Sequence, residues 1–188
     1  MAPGSRVLIC MTGGIAAYKI ATVASTLTQS NIHVDVAMTA AAAKFVGPAT
    51  FEGLTGRKVH LDIWDHPADS VQPRHIQLPS DADVILLAPA TADSLAKLVA
   101  GLADDLVSTI LLAAPVSKLL VAPAMNEGMW THPATQNNIR RLCEWGVELI
   151  GPDTGWQACR TQGQGRMSEP ETIVAAVKRR LGVDNTQP

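Results

Sequence analysis

Three side chains in this sequence have types and neighbours suited to chemistry. Asn126 stands in Pro-Ala-Met-Asn-Glu-Gly-Met-Trp, residues 123 to 130, directly after the apolar segment Lys118 to Ala122. That segment reads as a strand, so the Asn126 amide is presented at a sheet edge of the kind where open α/β folds bind ligands. An uncharged amide beside the polarizable Met125 and Met129 suits a flat organic ligand and a small carboxylate better than a metal ion. His75, in His-Ile-Gln-Leu, carries the side chain best placed to exchange protons near neutral pH. The other histidines, His33, His60, His66 and His132, read as chemically idle. Cys159 lies in the glycine-rich stretch Gly155 to Met167 beside Arg160, and a neighbouring positive charge lowers a thiol pKa. Cys10 and Cys143 fall in apolar strand or helix stretches and read as structural. Met125, Met129 and Trp130 could equally be core packing, and for Trp130 that is the preferred reading.

Three further segments could surround a phosphate. Thr12-Gly13-Gly14-Ile15-Ala16-Ala17 joins a strand to a helix, where glycines let backbone N–H groups approach an anion at a helix N-terminus. It is not a GxGxxG loop and has no acidic residue spaced to grip a ribose, which favours a mononucleotide over a dinucleotide. A tight turn with no ligand is the alternative. Thr39 and Pro89-Ala90-Thr91-Ala92-Asp93-Ser94 occupy two more strand ends. Helix capping alone would explain Thr91 to Ser94. Convergence of the three loops favours one phosphate and the chain attached to it.

The elements that must position these residues alternate. Strands are expected at Val7 to Met11, His33 to Met38, Val84 to Ala88, Lys118 to Ala122 and Val147 to Ile150. Helices are expected at Ile15 to Leu27, from Ala40 to Phe45 onward, and at Ala92 to Ala100 and Asp105 to Ala113. Two more follow at Pro133 to Trp145 and Glu171 to Leu181. The run Val84 to Ala88 has no polar residue, as a strand buried on both faces requires. Such alternation predicts an α/β fold, a Rossmann-like or flavodoxin-like parallel sheet with helices on both faces. Residues 151 to 169 are expected to be a long irregular loop, a lid rather than a connector. The 188 residues fit one domain. A net charge of −2 without a basic tract argues against nucleic acid or an anionic membrane as partner. No apolar run reaches the ~18 residues of a membrane span. Three cysteines without CxxC spacing argue against a zinc site or disulfide framework and suit a cytoplasmic protein.

The chain resembles the homo-oligomeric flavin-containing cysteine decarboxylases from Val7 to about Ile173. The resemblance runs through GGIAAYK at 13 to 19, HIQL at 75 to 78, PATADS at 89 to 94 and GLADDLVST at 101 to 109. It continues through PAMN at 123 to 126, PATQNN at 133 to 138 and GPDTGWQACRTQGQGRMSEP at 151 to 170. It implies trimers, or dodecamers of four trimers, with FMN between neighbouring subunits. Gly13, Gly14, Ile15 and Ala16 would approach FMN from the first loop, and Thr39 and Phe45 from the second. Thr91, Ala92, Asp93 and Ser94 would hold its phosphate region, and Ala124 would touch the flavin. His75, Asn126 and Cys159 would be catalytic: Asn126 as ligand of the substrate carboxylate, Cys159 as acid on the lid. Met129, Ala158 and Arg160 would join them in binding substrate.

The implied reaction converts 4′-phospho-N-pantothenoylcysteine to 4′-phosphopantetheine and CO₂ in coenzyme A biosynthesis. Oxidation of the CH₂–SH group to a thioaldehyde lets CO₂ leave as an enethiolate. Reduction then completes the cycle, with Cys159 supplying the proton. The alternatives are a peptidyl-cysteine decarboxylase of lantibiotic maturation, a flavin prenyl transferase, or a non-catalytic flavoprotein regulator. The chain departs from bifunctional relatives by stopping at 188, with no room for a ligase domain. It departs again at Arg160, where a glycine usually follows the cysteine.

Overall fold

Five short strands build the centre of the molecule. The computed structural model describes residues 4–64 and 72–183; His66, left without a role above, lies outside them. Strands β1 (Arg6–Met11), β2 (His33–Met38), β3 (Val84–Ala90), β4 (Leu119–Pro123) and β5 (Glu148–Leu149) form a parallel sheet in the order β2-β1-β3-β4-β5. Alternate residues face opposite layers. Val7, Ile9 and Met11 point into one core with Leu86 and Leu120, whereas Leu8 and Cys10 join Ile85, Leu87 and Val121 in the other. The period of two sends one side chain to each face in turn. Because helices cover both faces, every residue of β3 and β4 is buried.

The first core is closed by α1 (Ala17–Gln29), α2 (Pro48–Thr55) and α8 (Pro170–Leu181), through Ile20, Leu27, Phe51, Ile173 and Val177. The second is closed by α3 (Arg74–Asp81), α4 (Ala92–Ala100), α5 (Leu106–Ala113) and α7 (Pro133–Glu144). Leu78, Leu95, Ile110 and Leu142 enter it from these four helices. Local chemistry sets their ends. Asp105 and Ser108 form a reciprocal capping box ahead of α5, and Thr91 caps α4 by accepting the Ser94 N–H. Pro48 and Pro170 open α2 and α8 at the first turn.

The chain leaves β1 toward β2 and returns on the other side of β1 as β3. The carboxyl ends of β1 and β3 therefore bound a topological switch point, the place where such sheets bind ligands. The loops Thr12 to Ala16 and Thr91 to Ser94 begin there.

Several expectations are corrected. The segment from Ala40 to Phe45 is a 3₁₀ turn (Ala42–Lys44), and the helix starts afresh at Pro48 because Gly47-Pro48 interrupts it. The His-Ile-Gln-Leu segment is helical, as the first half of α3. Asn126 lies beyond β4 and caps a short helix, α6 (Glu127–Trp130), its Oδ1 accepting the Gly128 N–H at 2.8 Å. Cys143 is exposed, since α7 turns Ile139 and Leu142 inward instead.

The expected irregular stretch 151 to 169 holds an antiparallel hairpin, β6 (Asp153–Trp156) and β7 (Gln162–Arg166), turned by residues 157–161. Its glycines serve close approach. A Cβ on Gly163 would lie 2.5 Å from Glu127 Oε2, and one on Gly165, at φ +120°, only 2.4 Å from the Met125 carbonyl oxygen. Met125 N–H in turn donates to the Gly165 carbonyl at 2.9 Å. The hairpin thus lies directly on the Asn126 segment.

Candidate functional site

Two adjoining cavities open at the switch point. The first, about 420 Å³, lies between the glycine loop, the Asn126 segment and the hairpin. The second, about 450 Å³, lies between the loops after β1, β2 and β3. They share Gly13, Thr91, Ala92 and Met129, so one elongated ligand could occupy both. Gly13 permits this packing: a Cβ there would lie 2.5 Å from Ala41 Cβ.

Most of the residues singled out above line these cavities. Gly13, Gly14, Ile15, Ala16 and Ala124 face the first, together with Asn126, Met129, Ala158 and Cys159. Thr39 and Thr91 to Ser94 face the second. Trp130 is buried, as the packing reading required. Three candidates line neither cavity. Phe45 ends the 3₁₀ turn with its ring half exposed. His75 sits on the first turn of α3, its Nδ1 buried without a hydrogen-bond partner. Arg160 occupies the hairpin turn in the left-handed region, at φ 63°. That is a conformation a glycine adopts without strain and an arginine rarely does.

At the mouth of the first cavity Asn126 and Cys159 meet. The Asn126 amide Nδ2 donates to Cys159 Sγ at 3.2 Å, and the Thr161 hydroxyl lies 2.9 Å from the same sulfur. The Thr161 hydroxyl first, and the Asn126 amide second, hold the Cys159 thiol below its ordinary pKa. Hydrogen bonding to the thiolate therefore does what was expected of Arg160. Burial pushes the Cys10 thiol in the opposite direction, well above its usual value.

Sequence reasoning missed four side chains. Thr12 Oγ1 donates to the Pro89 carbonyl at 2.5 Å and accepts the Thr91 N–H at 3.3 Å, tying the β1 and β3 loops together. Lys19, buried on α1, donates to the Met167 carbonyl at 3.0 Å and pairs with Glu169 at 3.1 Å. It holds the Glu169 carboxyl below its ordinary range and anchors the hairpin's exit to the helix after the glycine loop. The available signal was its place one turn before Val23 on the apolar stripe of α1. Lys97 stands 2.9 Å from Asp104, 3.5 Å from Asp93 and 3.7 Å from Asp105, closing the far wall of the second cavity. Its ammonium is held protonated beyond its usual range, by the Asp104 hydrogen bond first. Gln157, the fourth, is buried at the hairpin turn with its side-chain oxygen facing the Cys159 thiol.

Among the described residues no cluster of three or more His, Cys, Asp or Glu could hold a metal ion, and no helix is long and apolar enough to cross a membrane. The donors present suit a phosphorylated organic ligand instead. Helix α1 begins without a side-chain cap or an acidic residue in its first turn, which leaves its positive end available to an anion.

Comparison with known proteins agrees with this geometry. The chain is 44% identical over 174 residues to the coenzyme A biosynthesis bifunctional protein CoaBC of Haemophilus influenzae, covering 93% of this chain and 43% of that one. It thus spans less than half the length of that curated relative. Among solved structures it superposes on a PPC decarboxylase variant complexed with pantothenoylaminoethenethiol, with a TM-score of 0.85, 31% identity, and 95% of this chain and 99% of that one covered. The FMN-binding protein AtHal3 gives a TM-score of 0.82 at 31% identity, with 96% and 98% covered. The sequence profile described as Flavoprotein matches residues 1–182, and the chain belongs to that family.

Proposed function

We propose that this chain is an FMN-dependent decarboxylase that converts 4′-phospho-N-pantothenoylcysteine to 4′-phosphopantetheine and CO₂ in coenzyme A biosynthesis, in the cytoplasm. The observation that carries the reading is the meeting of Asn126 and Cys159 at 3.2 Å over a cavity floored by the Gly13-Gly14 loop. A carboxylate-binding amide and a proton-donating thiol then face the same substrate. The family match and the likeness to a PPC decarboxylase structure support it.

The residues present fit FMN. Thr91, Ser94 and the starts of α1 and α4 offer donors to a phosphate, while Ile15, Ala124, Met125 and Met129 offer apolar contact to a flat ring system. Bound there, FMN would supply the two-electron oxidation and its reversal, which no side chain of the site can provide. The protein's own groups bind, orient and move protons. Asn126 Nδ2 donates to the substrate carboxylate and holds the C–C bond that breaks. Cys159 gives its thiol proton to the enethiolate left after CO₂ departs. Trp156 and Met129 shield the mouth from water, with the hairpin within 151–169 as lid over a single decarboxylase domain. Arg160, exposed on the turn, offers its guanidinium to the substrate phosphate.

His75 completes the site in a homo-oligomer of three-fold symmetry, a trimer or a dodecamer of trimers, by reaching the cavity of a neighbouring copy. Its unpartnered Nδ1 and its distance from its own chain's lining support that arrangement. So does the apolar surface that Ile15, Tyr18 and Phe45 expose beside the site. In this arrangement His75 contacts the substrate thiol. The test is incubation of the FMN-loaded protein with 4′-phospho-N-pantothenoylcysteine while CO₂ and thiol products are followed. Release of CO₂ with formation of 4′-phosphopantetheine is expected, and a flavin-bearing protein that leaves the substrate intact overturns the reading.

A further inference from the structure

One buried carboxamide holds the turn that carries Cys159. Gln157 is only 8% exposed, although the strands it joins largely face solvent. Its Oε1 accepts the Glu127 N–H at 3.1 Å, and its Nε2 donates to the Gln164 carbonyl at 2.8 Å. Its backbone N–H donates to the Thr161 carbonyl at 2.9 Å, and its carbonyl accepts the Arg160 N–H at 3.0 Å. The Cys159 thiol donates to that same Oε1 across 3.6 Å. An amide oxygen has two lone pairs, and here one meets α6 while the other meets the thiol. Asn126, whose side chain faces Cys159 from the opposite side, immediately precedes Glu127.

We infer that Gln157 is a positioning residue for the proton transfer: it clamps the 157–161 turn onto the start of α6, so that Cys159 meets Asn126 with its proton in place. The sulfur is set between opposed partners. Donors on Asn126 and Thr161 favour the thiolate, and the Gln157 side-chain Oε1 favours the thiol. Only the purpose assigned to the proton rests on the decarboxylase reading; the clamp itself is a matter of geometry.

The experiment uses the full-length, FMN-loaded protein. Cys159 is alkylated with iodoacetamide across a pH series and read by peptide mass spectrometry, so that the exposed Cys143 does not contribute. In Gln157→Glu a charged carboxylate replaces the neutral carboxamide beside the sulfur, and the alkylation midpoint should rise by about one pH unit. A midpoint equal to that of the unaltered protein overturns the proposal, whatever the chain decarboxylates. Gln157→Met keeps the volume and removes every side-chain hydrogen bond. Its enethiol-to-saturated product ratio should rise on the order of tenfold, while substrate-dependent flavin reduction stays near normal. A purely structural role would depress both halves together. If Gln157→Glu does not accumulate as folded protein, Gln157→Met carries the test through amide exchange over residues 157–161. Exchange there should quicken because the side-chain clamp to Glu127 and Gln164 is gone, and unchanged exchange overturns the proposal.

Discussion

At Asn126 the smallest informative change is to aspartate, which keeps the shape and adds a charge where the substrate carboxylate is proposed to sit. Two like charges about 4 Å apart in a partly dry site repel by roughly 4 kcal/mol. Turnover in Asn126→Asp should therefore fall roughly a thousandfold, with FMN still bound. Steady-state rates together with the flavin absorbance check this, and near-normal turnover would remove Asn126 from the site. At Cys159 the sign follows from the depressed thiol pKa. The proton-donating form is lost at lower pH than for an ordinary thiol, so the share of saturated product should fall as pH rises through that lowered value. Thr161→Val removes the hydroxyl that does most to lower the thiol pKa and should move the fall to higher pH, as product ratios across a pH series would reveal. Asn126, Cys159 and the glycine loop were legible in the sequence because their types and neighbours are chemically unusual. Lys19, Gln157 and Thr12 were not. Their partners lie across the fold, as with Lys19 and Met167, and no local pattern announces such a contact.

Strands β3 and β4 were legible because burial on both faces forces uninterrupted apolar runs, and His33–Met38 and Ala92–Ala100 fall where the pattern placed them. The hairpin β6–β7 was not, because its glycines resemble a loop until the Met125 backbone and Glu127 are seen pressing against them. Helix α3 was missed for a different reason: it is eight residues long, has no side-chain cap and holds Pro79 inside it, so no local pattern marks it as a helix. The hairpin's fit supplies its own test. Gly165→Ala adds a Cβ against the Met125 carbonyl at a φ that L-residues rarely adopt, at a cost of about 1–3 kcal/mol. Amide exchange across residues 153–166 should quicken and the substrate KM should rise, while FMN stays bound because the loops after β1 and β3 are untouched. Unchanged exchange would mean that the hairpin's docking does not depend on that glycine.

For the whole molecule, the sheet order places two cavities at one switch point, and the chain's own residues leave His75 outside both. The protein should purify yellow, with about one FMN per chain, as an oligomer of three-fold symmetry by light scattering. A colourless monomer that FMN cannot reconstitute would contradict the shared-site arrangement. In the proposed mechanism Asn126 and Cys159 are the two ends of one decarboxylation centre, the amide serving the carboxylate and the thiol the final proton. Mass spectrometry of products from the unaltered protein and from Cys159→Ser, given the same substrate, tests it most directly. A hydroxyl is a far poorer proton donor than a thiol with its ordinary pKa of about 8.5. The unaltered protein should yield 4′-phosphopantetheine, and the variant should release CO₂ yet accumulate an enethiol lighter by two hydrogens. Saturated product formed by Cys159→Ser at the normal rate would contradict the account.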